Sequence, residues 1–313
     1  MAIIHVSPSD NLTELIASDS VSQGDVLLLA DGLYLQTVVI EKNYIRIISC
    51  SGKAVFTGFS QLLDGFLLNG VTGVEIYGVT VRNYIQDGIA ITGGSANRMV
   101  KNTISDVGIF GIRIASSSAN LVWKNNIRDI GIGGVFLFSA STFNWIIGND
   151  INRCDNDGIE TFLSEDSNNA MIENHICNCG DHCIDAYGVN SLLLRNKAAK
   201  AESSCYFIAG STSNSSVLLE NEGVSSQQGA SVNLPNLFAA CNNFSNNSDT
   251  GLISTADFGI YQGNFISRNE NSGMVFTEGA DYNFIYFNKI VCNEPADILD
   301  NGTENNYLKN ITG

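Results

Sequence analysis

The sequence predicts an all-β fold, a single-stranded right-handed parallel β-helix: a solenoid of about ten coils of roughly 22–25 residues with an N-terminal capping helix. Three observations predict it. An asparagine recurs once per coil, a second asparagine follows five residues later, and a short small–apolar–x–apolar unit recurs between them.

The first asparagine stands at Asn97, Asn120, Asn144, Asn169, Asn190 and Asn214, and again at Asn283 and Asn305, with spacings of 23, 24, 25, 21 and 24 in the first run. The second stands at Asn102, Asn125, Asn149, Asn174, Asn288 and Asn310. Asparagine tolerates the left-handed turn conformation, and stacked amides can hydrogen-bond along a solenoid axis. The third unit reads Gly88-Ile89-Ala90-Ile91, Gly111-Ile112-Arg113-Ile114, Gly134-Val135-Phe136-Leu137 and Gly158-Ile159-Glu160-Thr161. Cys183-Ile184-Asp185-Ala186 and Cys205-Tyr206-Phe207-Ile208 continue it. Alternation over so short a run, bounded by Asn and Gly, is the pattern of strands with one buried face.

The repeat organises residues 1–313 as one domain: a cap and first coils over 1–75, regular coils over 76–222, an irregular excursion over 223–256 where the register blurs around Pro235, and C-terminal coils over 257–313. Open solenoid ends need covering. The segment 10–17 predicts a short helix with Asp10 as N-cap and Leu12, Leu15 and Ile16 facing inward.

Composition agrees with many short strands. Hydrophobic residues make up 44% and charged residues 15%, with 30 Gly and 3 Pro. The net charge of −16 argues against nucleic acid and anionic membranes as partners, since no basic stripe offsets it. No run of about twenty apolar residues predicts a membrane span. The opening Met1-Ala2-Ile3-Ile4-His5 has no charged n-region followed by an apolar one, so no signal peptide is read there and the compartment stays open. Cysteines recur in columns (Cys154 with Cys179, Cys183 with Cys205), as small apolar residues stacked in a core do.

Stacking makes neighbours of residues at equivalent repeat positions. One outward column reads Ala90, Arg113, Phe136, Glu160, Asp185 and Phe207, and the next reads Ala115, Phe138, Phe162, Tyr187 and Ala209. The turn before the strand adds Asp155 and Asp157 in one coil, then Asp181 and His182 in the next. Sugar rings stack on aromatic faces, and paired carboxylates divide acid and base duties. Like charges one strand apart cannot both ionise freely, so at least one pKa should rise. The expected catalytic set is Asp157, Glu160, Asp181, His182 and Asp185, and the expected substrate-binding set is Arg113, Phe136, Phe138, Phe162, Tyr187 and Asp155. Hydrolysis of this kind needs no cofactor, although the acidic wall could hold Ca²⁺.

The opening segment, with Gly24–Tyr34 and then Ile45–Ser49, resembles the start of pectate-lyase-like β-helix proteins. The later coils resemble the repeats shared by polysaccharide lyases, alginate epimerases, polygalacturonase-type glycosidases and NosD-like accessory proteins. Asn156-Asp157-Gly158 resembles the Asn-Thr-Asp-Gly segment of the polygalacturonase type, and Gly180-Asp181-His182-Cys183 resembles its Gly-Asp-Asp-Cys segment. That resemblance implies catalytic roles for Asp157 and Asp181, with His182 standing where the family has a third Asp. The family's Gly-His-Gly and Arg-Ile-Lys segments have no counterpart here. Tyr187, His182 and Asp185 match the residue types of alginate epimerases, without their Asp-Pro-His motif. The function expected is a glycoside hydrolase acting on a carbohydrate chain. A non-catalytic glycan-binding or adhesin-like scaffold is the alternative, followed by a polysaccharide lyase or uronate C5-epimerase.

Overall fold

The computed structural model describes residues 1–211 and 215–313. Asn214 of the first asparagine series lies outside the described residues. Strands of two to six residues recur three per turn and fall into three parallel sheets, for about 13 turns. The sequence suggested about ten coils. The difference comes from the first coils, which the cap masks, and from 223–256. That segment is no excursion: it carries Gln228–Val232, Phe238–Ala240, Asn243–Ser245 and Thr250–Ser254, each in parallel register with its neighbours. Coils shorten there to 21 and 22 residues between equivalent asparagines (Asn221, Asn242, Asn264), which is why the spacing blurred.

The chain divides into two compact units, Met1–Asp155 and Asn156–Gly313. In the first unit the helix Leu12–Ala17 packs on the strand Val38–Ile40 with Leu12 and Ile16 buried and Leu15 half-buried. Its N-cap is Asn11, whose side chain accepts from Glu14 N at 3.3 Å. Asp10 instead accepts from Ser7 N at 2.7 Å and Ser7 Oγ at 2.9 Å, closing the preceding turn. Either residue type makes a good cap, so only the chain's path decides between them.

Inward columns are apolar: Ile89, Ile112 and Val135 in the first unit and Ile159, Ile184 and Tyr206 in the second are all fully buried. Each contributes about 1.5–3 kcal/mol through burial. Between them runs an amide ladder. Asn102 N donates to Asn125 Oδ1, and Asn125 N to Asn149 Oδ1, both at 2.9 Å. In the second unit the ladder continues from Asn174 through Asn196, Asn221, Asn242, Asn264 and Asn288 to Asn310. The ladder asparagines are buried except the last, Asn310, which is half-buried, and the left-handed residue is the one before each, as at Lys101, Lys124, Arg195 and Glu220. Amide bonding therefore explains the recurrence, and turn tolerance does not. Asn190 is such a left-handed corner, and the ladder position beside it is Ser191, whose N–H donates to Ser216 Oγ at 3.0 Å. The described residues hold no helix long and apolar enough to cross a membrane.

Candidate functional site

The second unit begins with the turn Asn156–Asp157 and the strand Ile159–Thr161, and the coil above repeats it with Asp181–His182 and the strand Ile184–Ala186. The register pairs Ile159 with Ile184, Glu160 with Asp185 and Thr161 with Ala186. Backbone bonds close the turns onto one another: Asp181 N donates to Asn156 O at 3.1 Å and Gly158 N to His182 O at 3.0 Å. Gly158 allows this closeness, since a Cβ there would stand 2.3 Å from Ile176 Cγ2 and 2.5 Å from Cys183 O.

Asp157 is buried and doubly engaged. Its Oδ1 accepts from His182 N at 2.9 Å and its Oδ2 from Asn156 Nδ2 at 2.7 Å. Carboxylate oxygens of Asp157, Glu160 and Asp185 lie within 4.8 Å of one another. Burial first raises all three: Asp157 to about 7, with repulsion from Glu160 and Asp181; Glu160 to about 7, with repulsion from Asp181 and Asp166; and Asp185 to about 8, with repulsion from Asp157, Glu160 and Asp181. Among the described residues, the charges that act on them are those of carboxylates and, for Asp157, Cys179. Asp185 Oδ1 is buried without a hydrogen-bond partner among the described residues.

His182 is buried, its Nδ1 accepts from Ser204 N at 3.2 Å, and its ring stacks on Phe207 with centroids 4.7 Å apart. Burial lowers its pKa against the opposing pull of Asp181. An accepting Nδ1 leaves the proton on Nε2, which faces Asp181 Oδ1 at 3.4 Å. Phe162 and Tyr187 are exposed, at 52% and 41%, and Tyr187 leans toward Phe207 with centroids 6.2 Å apart.

The catalytic candidates Asp157, Glu160, Asp181, His182 and Asp185 thus share two adjacent turns and strands with Phe162 and Tyr187. The other candidates belong to the first unit. Arg113 is engaged by Asp87, whose carboxyl is raised by burial against the pull of that guanidinium. Phe136 stacks between Phe110 and Phe138 at 4.2 and 5.3 Å. Asp155 is exposed at that unit's end. Sequence reasoning missed Asp87, Phe110, the stacking role of Phe207 and buried Asp166, whose charge also raises Glu160. Asp87 had a signal, because it precedes Gly88 as Asp157 precedes Gly158. All eight cysteines are free thiols; in the core Cys183 Sγ donates to Ile176 O at 3.7 Å and Ala199 O at 3.5 Å, and the neighbouring Cys179 and Cys205 thiols, with burial, raise its pKa.

The model of the right handed beta helix region matches residues 36–165 and 64–229. The chain belongs to the right-handed β-helix family. Three solved structures share the fold of this β-helix protein. A mannuronic acid specific polysaccharide family 6 lyase from human gut microbiota is 13% identical, with 96% of this chain and 82% of that one covered at a TM-score of 0.74. The periplasmic alginate epimerase AlgG is 13% identical, with 99% and 83% covered at 0.67. The catalytic domain of a GH87 α-1,3-glucanase, seen with tetrasaccharides, is 12% identical, with 98% and 68% covered at 0.74. No curated protein matches the sequence. Likeness at this identity is likeness of fold.

Proposed function

We propose that the wall carrying Glu160 and Asp185 binds a carbohydrate chain and hydrolyses a glycosidic bond. The observation that carries this is the trio of carboxylates within 4.8 Å, raised to about 7 and 8. Near neutral pH such a group holds protons and a negative charge together. That is what an acid beside a nucleophile requires.

Asp185 has the highest pKa, so it protonates the leaving glycosidic oxygen. Glu160, half-buried and opposite it in register, attacks the anomeric carbon as carboxylate. The closeness of the two favours retention, for which about 5 Å is usual. Water then cleaves the glycosyl-enzyme ester and gives its proton to the Asp185 carboxylate, which restores both groups. Asp157 is a positioning residue, since both its oxygens are taken. Phe162 and Tyr187 supply ring faces for sugar stacking, and Asp181 and neutral His182 add polar groups to the same wall. The described neighbours, a lyase, an epimerase and a glucanase, support a saccharide as the ligand.

A second reading uses the same trio differently. Calcium takes oxygen ligands at about 2.3–2.6 Å, so two of them lie up to about 5 Å apart, and Asp157, Glu160 and Asp185 fit that spacing. The unsatisfied Asp185 Oδ1 suits a cation as well as a proton. Bound there, Ca²⁺ would neutralise a uronate carboxylate, as lyase or epimerase chemistry requires.

Release of reducing ends from a panel of neutral and uronate polysaccharides tests the proposal. New reducing ends without an unsaturated, ultraviolet-absorbing product are expected, with losses on the order of 10³-fold in Asp185→Asn and Glu160→Gln. An unsaturated product that depends on calcium would replace hydrolysis by the second reading. No product and no retention by any glycan would sink both.

A further inference from the structure

We infer that the carbohydrate taken by the wall of Glu160 and Asp185 is a basic one, a polysaccharide whose amino sugars carry free ammonium groups. This rests on the hydrolytic reading above and names its substrate class. None of the seven strands that the sheet of Glu160 and Asp185 contributes to the second unit contains Lys or Arg. The cations of the unit lie elsewhere: Lys197 and Lys289 face outward from another sheet, and Arg195 and Lys309 are left-handed corners leading into it. The turns that enter the wall are acidic instead. Asp181 stands in one, Glu202 in the next, Asp249 two coils on and Glu270 in the coil after that. Backbone bonds stack these turns: Ser203 N donates to Asp181 O at 3.1 Å, Asp249 N to Gln227 O at 2.9 Å and Glu270 N to Asn247 O at 3.0 Å. A groove of about 570 Å³ lies over them, lined by Glu202 and Glu270 with Ser225, Gln227, Asn246 and Ser248 between them. Lys200 and Arg268, each two residues from one of those glutamates, do not line it.

Charge and lining both point to an aminated sugar chain as the occupant. At about 4.8 Å per coil, the four coils of the groove run for roughly 14 Å along the stack, starting one coil beyond the turn of Asp181 and His182. Its amides and hydroxyls both donate and accept, which suits a chain rich in hydroxyl groups. A neutral sugar would set Glu202 and Glu270 against hydroxyls alone. An ammonium gives each a charge-assisted hydrogen bond, roughly twice as strong as a neutral one. A uronate chain would be repelled along the whole wall, whereas a polycation is drawn to it. Asp185 Oδ1 is a buried acceptor that no donor reaches among the described residues, so the wall holds an acceptor for a group that arrives with the ligand. Phe162 and Tyr187, exposed in the turns that leave the same strands, supply the ring faces that a sugar stacks on and that a small cation has no use for.

Titration calorimetry on Glu160→Gln, which keeps Asp185 and lacks the nucleophile, tests this at a mildly acidic pH where sugar amines are protonated, with a chelator present. A glucosamine hexamer with free amines should bind at least ~10-fold tighter than its N-acetylated form, about 1.4 kcal/mol. Its binding should weaken as sodium chloride is raised. Adding Glu202→Gln with Glu270→Gln, both exposed, should remove most of that preference. Adding Glu173→Gln, which faces Arg195 outside the wall, should leave it in place. Equal affinity for the two hexamers, or a full preference in the variant lacking Glu202 and Glu270, overturns the inference. So does a lysine hexapeptide that binds as tightly as the free-amine sugar, because charge alone would then account for the affinity. Hydrolysis fails separately. Tight binding of the free-amine chain without its cleavage by the wild type supports the substrate class and removes hydrolysis, and cleavage of a neutral glucan with no preference for amines does the reverse.

Discussion

A buried carboxyl oxygen without a donor is unfavourable when ionised, and Asp185 Oδ1 is in that position. Protonation relieves it, hence the pKa of about 8. In the unfolded chain Asp185, Asp157 and Glu160 all titrate near 4. Between about pH 4 and 8 the folded state therefore binds more protons than the unfolded one, and stability falls as pH rises through that window, levelling beyond it. His182, lowered by burial, has the opposite sign, but its contribution changes only below its unfolded value of about 6.5. Above that pH only the carboxylates act. Melting temperature should thus decline for the wild type from about pH 6.5 to 8, by an amount on the order of a few kcal/mol of stability. Asp185→Asn should flatten the decline and melt higher than wild type at pH 8 while losing turnover. A variant that melts lower there would make Asp185 a structural residue. Asp157 should behave oppositely: Asp157→Ala strands His182 N–H and Asn156 Nδ2. Below about pH 6 it should destabilise by about 1–3 kcal/mol, seen as a lower denaturant midpoint, and the loss should shrink toward pH 8 as the buried Asp157 carboxyl of the wild type ionises.

At the level of elements, the ladder asparagine is the unit that joins coil to coil. Asn242 Oδ1 accepts from Asn221 N at 2.9 Å while its Nδ2 donates to Leu218 O, also at 2.9 Å. Asn242→Ala leaves both buried backbone groups unpaired, at about 1–3 kcal/mol each. Urea unfolding of that variant should show a midpoint shifted accordingly. Asn246→Ala, at an exposed left-handed corner, should cost less, through backbone strain alone. Equal effects at the two positions would show that the ladder is not what joins the coils. The repeat was legible in sequence where both asparagine series run together and faded at Asn221, Asn242 and Asn264, where successive coils shorten to 21 and 22 residues. A ladder needs stacked amides and tolerates varied arc length between them, so it survives an irregularity that a fixed-period search does not.

For the whole molecule the governing quantity is the net charge of −16. A polyanionic chain is repelled over a range set by the Debye length, about 10 Å at 0.1 M salt. Cleavage of a uronate polymer, if it occurs, should accelerate as sodium chloride is raised. Cleavage of a neutral glucan should be nearly indifferent. Initial rates against salt for the two substrates check this, and the reverse ordering would point to a local basic patch. Arg113 does not supply one, since Asp87 neutralises it.

By itself the sequence determined the sheet-forming repeat, its inward apolar columns and the pairing of Glu160 with Asp185, because each follows from periodicity alone. It also placed Asp157, Asp181 and His182 in successive turns. Only the tertiary structure decided the rest. It showed that Asp157 has both oxygens occupied, that His182 presents Nε2 because Ser204 takes Nδ1, and that Phe162 and Tyr187 stay open to solvent. The physical reason is that periodicity specifies which residues are neighbours, whereas protonation, tautomer and exposure depend on burial and on donors contributed by other coils.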